Sequence, residues 1–153
     1  MHRQTGVDTP ALPPDRPAST EGRYHRPGDP WPLYASLESG TVWAEWSAAT
    51  RGAIDPEMER RRLWSIQVTD LPVLDLRDPS ACEEIGVDVG ELVGPRSAAQ
   101  ALTERARSLG AEGMIVPLAA REGAWNLVVL PPGFRRLVIG RGRAMHPRPP
   151  EAG

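Results

Sequence analysis

The sequence predicts an α+β fold, a mixed or antiparallel sheet with a few short helices beside it, and three observations carry that expectation. Short apolar runs of strand length recur between Leu33 and Ile139, bounded by Gly, Pro, Asn or Asp. One segment, Ser97 to Leu109, carries a helical stripe of Ala98, Ala101, Leu102, Ala106 and Leu109 that must pack on something flat. No internal repeat is visible, so one core is expected of these 153 residues, a length that buries roughly two thirds of the unfolded surface.

The elements follow in order. Met1 to Pro32 holds seven prolines, each removing an amide donor and disfavouring helix at the residue before it, so the segment is expected to be irregular or extended. Leu33 to Ser36 reads as a strand. Ser39 offers an N-cap for a helix running to about Thr50, where Arg51-Gly52 ends it. Met58 to Arg62 is a charged connector; Leu63 to Thr69 and Val73 to Leu76 read as strands, and Pro79 to Gly86 as a short helix behind Asp78. Ser97 caps the long helix and Gly110 closes it. Gly113 to Val116, Asn126 to Leu130 and Leu137 to Ile139 supply the rest of the sheet. Residues 1–140 are expected to form one domain, irregular over 1–20, and residues 141–153 a Pro-rich flexible tail.

Composition narrows the function classes. Apolar residues make up 40% and charged residues 25%, with a formal charge of -2, which neither forces disorder nor resembles a polycation built to hold phosphate backbones. The single cysteine, Cys82, can form neither an intramolecular disulfide nor a thiolate-rich metal site, and is expected to be buried and inert. The opening MHRQTG has no apolar signal core, and no window approaches the ~20 apolar residues that span a bilayer, so a soluble protein of the reducing cytoplasm is expected.

The informative run is Glu21-Gly22-Arg23-Tyr24-His25-Arg26-Pro27-Gly28, followed by Leu33-Tyr34-Ala35-Ser36 and Ala44-Glu45-Trp46. Arg23 and Arg26 sit in a Gly- and Pro-bounded loop where guanidinium groups can fork onto phosphate oxygens, as a pyrophosphate would require. Tyr34, at a strand, can stack on a flat ring such as nicotinamide while its hydroxyl remains free to hydrogen-bond. Glu45 falls among Val42, Trp46 and Ala49 at helical spacing, on an apolar face. A carboxylate there needs a partner, and a cleft explains it better than a sealed core. The alternative is an ordinary helix carboxylate bridged to Arg51.

The runs GRYHRPG, LYAS and AEW, with the later GMIVPLAAREGAWNLVVL, resemble the RES-domain toxins over about Gly22 to Leu130; Met1-His2-Arg3 is a weaker match to that family's opening arginine. The resemblance implies a compact ADP-ribosyltransferase-like fold, NAD+ as substrate with no metal, and a cognate antitoxin partner of the type associated with helix-turn-helix proteins. It implies cleavage of the nicotinamide-ribose bond by hydrolysis or phosphorolysis, or in some members transfer of ADP-ribose to a protein. Carried onto matching positions, Arg23 and Arg3 would hold the dinucleotide phosphates, Tyr34 would pack on nicotinamide, and Glu45 would assist the ribose by stabilising an oxocarbenium-like centre. Two departures stand out. Tyr24 and His25 replace the family's Trp or Phe and Asn, and Pro117-Leu118 replaces a Pro-Ser pair, so the serine's hydrogen bond has no donor here. Arg121 beyond it is a further candidate for the dinucleotide, and Asn126 matches a position that often opens the last core strand.

Other residues carry plainer expectations. Trp43, Trp46, Trp64 and Trp125 are expected to pack the core or its rim, and His25 is a possible acid or base beside the arginine loop. Gly140-Arg141-Gly142 lacks the strand-helix context and acidic partner of a dinucleotide fingerprint. Three functions remain open: an NAD-degrading toxin, a protein ADP-ribosyltransferase, or a weakened NAD- or antitoxin-binding module in which Leu118 has ended catalysis. An antitoxin is expected to cover the cleft near Arg23 and Glu45.

Overall fold

The structure, a computed structural model, describes residues 1–148, so the part of the expected tail at 149–153 lies outside the described residues. The elements run β1 (His2–Gly6), β2 (Leu33–Ser36), α1 (Thr41–Thr50), β3 (Arg61–Val68), β4 (Val73–Asp75), α2 (Pro79–Ile85), α3 (Arg96–Ser108), β5 (Gly113–Pro117), β6 (Trp125–Val129), β7 (Leu137–Ile139) and β8 (Arg143–Met145), with 3-10 turns at Val89–Val93 and Gly133–Arg136. The strands join in one sheet of order β4-β5-β6-β2-β1-β3-β7, with β8 also pairing β3. All pairs are antiparallel except β4 and β5, whose parallel pairing needs the long crossover that α2 and α3 provide. The fold is α+β with a mixed sheet.

Strands β5 and β6 explain their own continuous apolar runs, because both of their faces are covered. Met114, Val116, Val128 and Leu130 face α3, where Ala99, Leu102 and Ala106 are buried against them. Ile115, Leu127 and Val129 face the other way, onto Leu33, Ala35 and Ile66, with Phe134, Leu137 and Ile139 packed around them. β3 and β7 thus curl over the second face in place of a helix. A third cluster, Val42, Trp43 and Trp46 with Leu63 and Met145, seats α1 beside β3 and β8.

Several boundaries differ from expectation, each for a tertiary reason. Residues 1–20 are not all irregular: β1 lies ahead of the first proline at Pro10, so its amides are available, and it pairs with β3 from His2↔Ser65 to Gly6↔Arg61. Its polar sequence gives no periodic signal, since cross-strand pairing rather than propensity sets it. The segment from 141 is not simply a tail either, because Arg143↔Leu63, Ala144↔Arg62 and Met145↔Arg61 form a ladder. β3 correspondingly starts at Arg61, inside the expected connector. α1 starts at Thr41 with Gly40 at its cap and no side-chain cap bond, so Ser39 does not cap it; Arg51, in left-handed conformation, ends it as expected. α2 begins behind Asp78, whose side chain accepts from the Ser80 amide.

α3 begins at Arg96 behind Pro95, so Ser97 is not its cap, and Gly110 turns the chain at φ 79°. Its buried stripe is Ala99, Leu102, Thr103 and Ala106 with Gln100 beside it; Ala101 and Leu109 are exposed, Leu109 at 54%. The stripe is shifted because two polar residues, Gln100 and Thr103, take buried places.

Candidate active site

Of the residues that the sequence singled out, Arg3, Tyr34 and Glu45 are carried by β1, β2 and α1, while Arg23, Arg26 and Arg121 lie in loops. β2 alternates Leu33 and Ala35 into the second-face core with Tyr34 and Ser36 toward α1 and α3. Ser36 pairs across the ladder with Asn126 of β6, so the two side chains rise from the same face of neighbouring strands. α1 lays Glu45 directly over them. Ser36 Oγ donates to Glu45 Oε2 at 3.2 Å, and Asn126 Nδ2 donates to Oε1 at 2.5 Å. Ser36 is 1% exposed and Asn126 5%, so the carboxylate is fixed by a rigid floor.

No lysine or arginine forms an ion pair with Glu45 among the described residues; the Arg51 bridge is not formed. Burial pushes its carboxyl above the ordinary carboxylate range, opposed by the two hydrogen bonds and, at a distance, by Arg3. Its neighbours differ in part from those expected, since Val42 and Trp46 are buried but Ala49 is exposed.

Arg3 and Tyr34 meet beside it. β1 and β2 share only the pair His2↔Ser36, and beyond it Arg3 Nη1 donates to the Tyr34 carbonyl at 3.0 Å. His2, Arg3, Gln4, Tyr34, Ser36, Val42 and Glu45 line a cavity of about 100 Å³. Two polar atoms are buried without a partner, the donor Arg3 Nε of a residue that lines the cavity and the acceptor Asn126 Oδ1 of the residue that holds Glu45 from below. Unsatisfied groups of both kinds next to a sequestered carboxylate suit a polar ligand, because leaving each unpaired costs about 1–3 kcal/mol. The Tyr34 phenol is pushed up to about 12 by burial, and Arg3, Arg23 and Glu45 all act on it electrostatically.

Arg23 is near but otherwise engaged: its Nη1 donates to the carbonyls of Leu92 and Gly94 at 3.0 and 2.9 Å, tying its loop to the crossover. Arg26 pairs with Glu104 on α3, away from the cavity. Arg121 does not line the cavity. It lines a separate depression of about 450 Å³ at the start of α1 together with Trp43, Arg143 and Arg148. Leu118 is buried, 6% exposed. Trp43 and Trp46 pack the third cluster, and Trp64 is held by its Nε1–H on Thr5 Oγ1 at 2.9 Å.

The arginine loop owes its shape to α3, which the sequence reading missed. Gln100 Nε2 donates to Glu21 Oε1, the Gly22 carbonyl and the His25 carbonyl at 2.9, 3.1 and 3.3 Å, and Thr103 Oγ1 donates to the Tyr24 carbonyl at 3.0 Å. Two polar residues three apart inside an otherwise apolar helix stripe were the available signal. Gly22 is required by packing, since a Cβ there would overlap the His25 ring. Ser36 and Asn126 were also missed as holders of Glu45; their pairing depends on register between strands 90 residues apart in sequence.

Comparison with known proteins bears on the family and the fold. A family model described as the RES domain matches residues 2–147. The probable NAD(+) phosphorylase Rv3189 of Mycobacterium tuberculosis is 32% identical over 134 residues, covering 87% of this chain; the chain spans 65% of that relative's length. Among solved structures, a chain of the M. tuberculosis MbcT-MbcA toxin-antitoxin complex superposes with a TM-score of 0.75 at 28% identity, over 95% of this chain and 83% of that one. With nearly the whole described chain inside the family match and the same fold beneath it, this protein belongs to the RES domain family.

Proposed function

We propose that this chain is the toxin of a toxin-antitoxin pair and degrades NAD+ by breaking the bond between nicotinamide and ribose, with phosphate as the preferred acceptor. The observation that carries the reading is Glu45, a carboxylate kept from any cationic partner, fixed by Ser36 and Asn126, and set beside Arg3 and Tyr34. The cavity beside Glu45, about 100 Å³, is too small to enclose the dinucleotide, so in this reading only the reacting centre is held there and the rest of NAD+ lies outside it.

In the cleft, nicotinamide packs on Tyr34 while Arg3, with its unpartnered Nε, takes a phosphate or ribose oxygen. The C1′–N bond breaks, its electron pair leaving with the pyridinium nitrogen to give neutral nicotinamide. Positive charge develops on the ribose, and Glu45 stabilises it. A phosphate oxygen then closes on C1′ to give the 1-phosphate of ADP-ribose; water in its place gives ADP-ribose and a proton. Arg23 serves this site by fixing the loop that carries Tyr24 and His25, and Arg121 meets the distal part of the dinucleotide if that part reaches the depression at the start of α1. The likeness to a probable NAD(+) phosphorylase supports phosphorolysis, and the toxin-antitoxin complex supports a partner protein, here one that covers the cleft near Glu45. No described helix is long and apolar enough to cross a membrane.

Incubating the purified protein with NAD, with and without phosphate, tests the reading. The 1-phosphate of ADP-ribose is expected with phosphate; free ADP-ribose alone marks hydrolysis, and label on protein marks transfer. Leu118 favours one second reading, a binding module that keeps NAD or antitoxin affinity without turnover. Tight NAD binding with no loss of NAD under any condition would establish that module and end the enzymatic reading.

A further inference from the structure

His25 has no part in the mechanism above, yet it is 4% exposed and its Nδ1 lies 3.0 Å from the Tyr34 hydroxyl. The same hydroxyl accepts from the Tyr24 amide at 3.3 Å. We infer that His25 is a positioning residue that sets whether Tyr34 presents an acceptor or a donor to the ligand. The consequence for turnover rests on the NAD-cleaving reading.

The argument is a count of protons. A phenol has one proton to donate and two lone pairs. With Nδ1 bare, the Tyr34 proton goes to it, one lone pair takes the Tyr24 amide, and the remaining lone pair is left without a partner among the described residues. With Nδ1 protonated, the oxygen accepts from both nitrogens and its own proton must turn outward. Tyr34 itself stays neutral, its ionisation pushed up to about 12, so the direction of that proton is what can change. An outward lone pair favours a sugar gaining positive charge; an outward proton backed by an imidazolium opposes it.

The surroundings favour a neutral ring, whose one proton is assigned to Nε2. Burial dominates and lowers the ring's affinity for a second proton. Within the loop, Asp29, Glu21 and the Thr20 carbonyl act to raise that affinity, and from α3 Arg96 lowers it. Nε2 is buried and makes no hydrogen bond of normal geometry, so the Thr20 carbonyl dipole is its nearest inducement to carry the proton. Trp31 packs on the ring with centroids 5.0 Å apart, and Gln100 holds the His25 carbonyl, so both the ring and its backbone have fixed neighbours. His25 does not line the cavity, and its effect on a ligand passes through Tyr34.

Two measurements test this. In protein labelled with ¹⁵N-histidine, long-range proton-nitrogen correlation at neutral pH is expected to show the His25 Nδ1 without a proton, a preference that weakens in Tyr34→Phe. A proton on Nδ1 in the wild type would overturn the inference whatever the enzyme does, because the readout needs no activity. For turnover, His25→Leu is expected to lose at least tenfold with the fold intact by circular dichroism, and His25→Asn, whose amide oxygen accepts from Tyr34 but cannot titrate, to recover most of that loss. The wild type loses activity on the acid side through both His25 and Glu45, and His25→Asn is expected to move that limb to lower pH. An unshifted limb in His25→Asn, or full activity in His25→Leu, would overturn the role.

Discussion

Two glutamates at opposite ends of the central strands show how differently this fold treats a carboxylate. Glu112, just before β5, meets Arg135 at 2.6 Å and Arg136 at 2.8 Å, and those hydrogen bonds hold it below its ordinary range. Glu45, over the other end of β2 and β6, has only neutral donors and is held above its range by burial. The first is a brace for the 3-10 turn that leads into β7. The second is a charge left without a counter-charge, and an arrangement that disfavours its ionised form invites a cationic partner from outside. An oxocarbenium-like ribose is such a partner.

Linkage gives the two residues opposite signs. Glu45, with its folded pKa raised, favours the folded state while protonated, and that contribution is lost as pH rises through its folded pKa. Glu112, with its folded pKa lowered, adds stability above its unfolded pKa that is lost as pH falls through the folded one. Variants at the two positions should therefore separate activity from stability.

The largest effect is expected from Glu45→Gln, which should lower NAD consumption by about 10²–10³-fold or more, the scale of removing one electrostatic stabiliser of a transition state. Melting near neutrality should stay level or rise, since the penalised charge is gone; a sharp fall in melting temperature would make Glu45 a structural residue instead. Next, Asn126→Ala should cost about 10–100-fold in turnover, and because Asn126 helps hold the Glu45 carboxyl down, the acid limb of the pH profile should move to higher pH. A loss of turnover with no movement of the limb would break the link to Glu45. Glu112→Gln should leave turnover within about twofold and lower the melting temperature, most visibly above the unfolded carboxylate range, by differential scanning fluorimetry across pH. The smallest change in turnover is expected from Leu118→Ser, equal to wild type or higher per folded molecule, although removing a buried leucine costs about 2–5 kcal/mol of stability.

The parts of this comparison were unequally legible in the sequence. β2, β5 and β6 were legible because strands buried in a core announce themselves as apolar runs, β7 was legible from Leu137-Val138-Ile139 although Val138 is exposed, and the motifs on β2 and α1 lie close together in the chain. β1 and β8 were not, since HRQTG and RAM have no period and become strands only by pairing with β3. The approach of Arg3 to Tyr34 depends on that pairing and on the parting of β1 from β2. The environment of Glu45 was half legible: the helix spacing marked it as shielded, while its partners Ser36 and Asn126 needed the register of β2 on β6. Arg23 was legible as a residue of the motif but not in its attachment to Leu92 and Gly94, which the crossover brings from 69 and 71 positions away. Gln100 and Thr103 read as interruptions of an apolar stripe, and became meaningful once the loop they hold was in place.

The most direct measurement follows the carboxyl carbons of ¹³C-glutamate-labelled protein through an acid titration, with Glu112 in the same sample as the reference. Glu45 is expected to titrate above the ordinary glutamate range and Glu112 below it, the order reversing on neither side. A Glu45 that titrates at or below the ordinary range would mean that it already has its counter-charge, and the role given to it in cleaving NAD would have no basis.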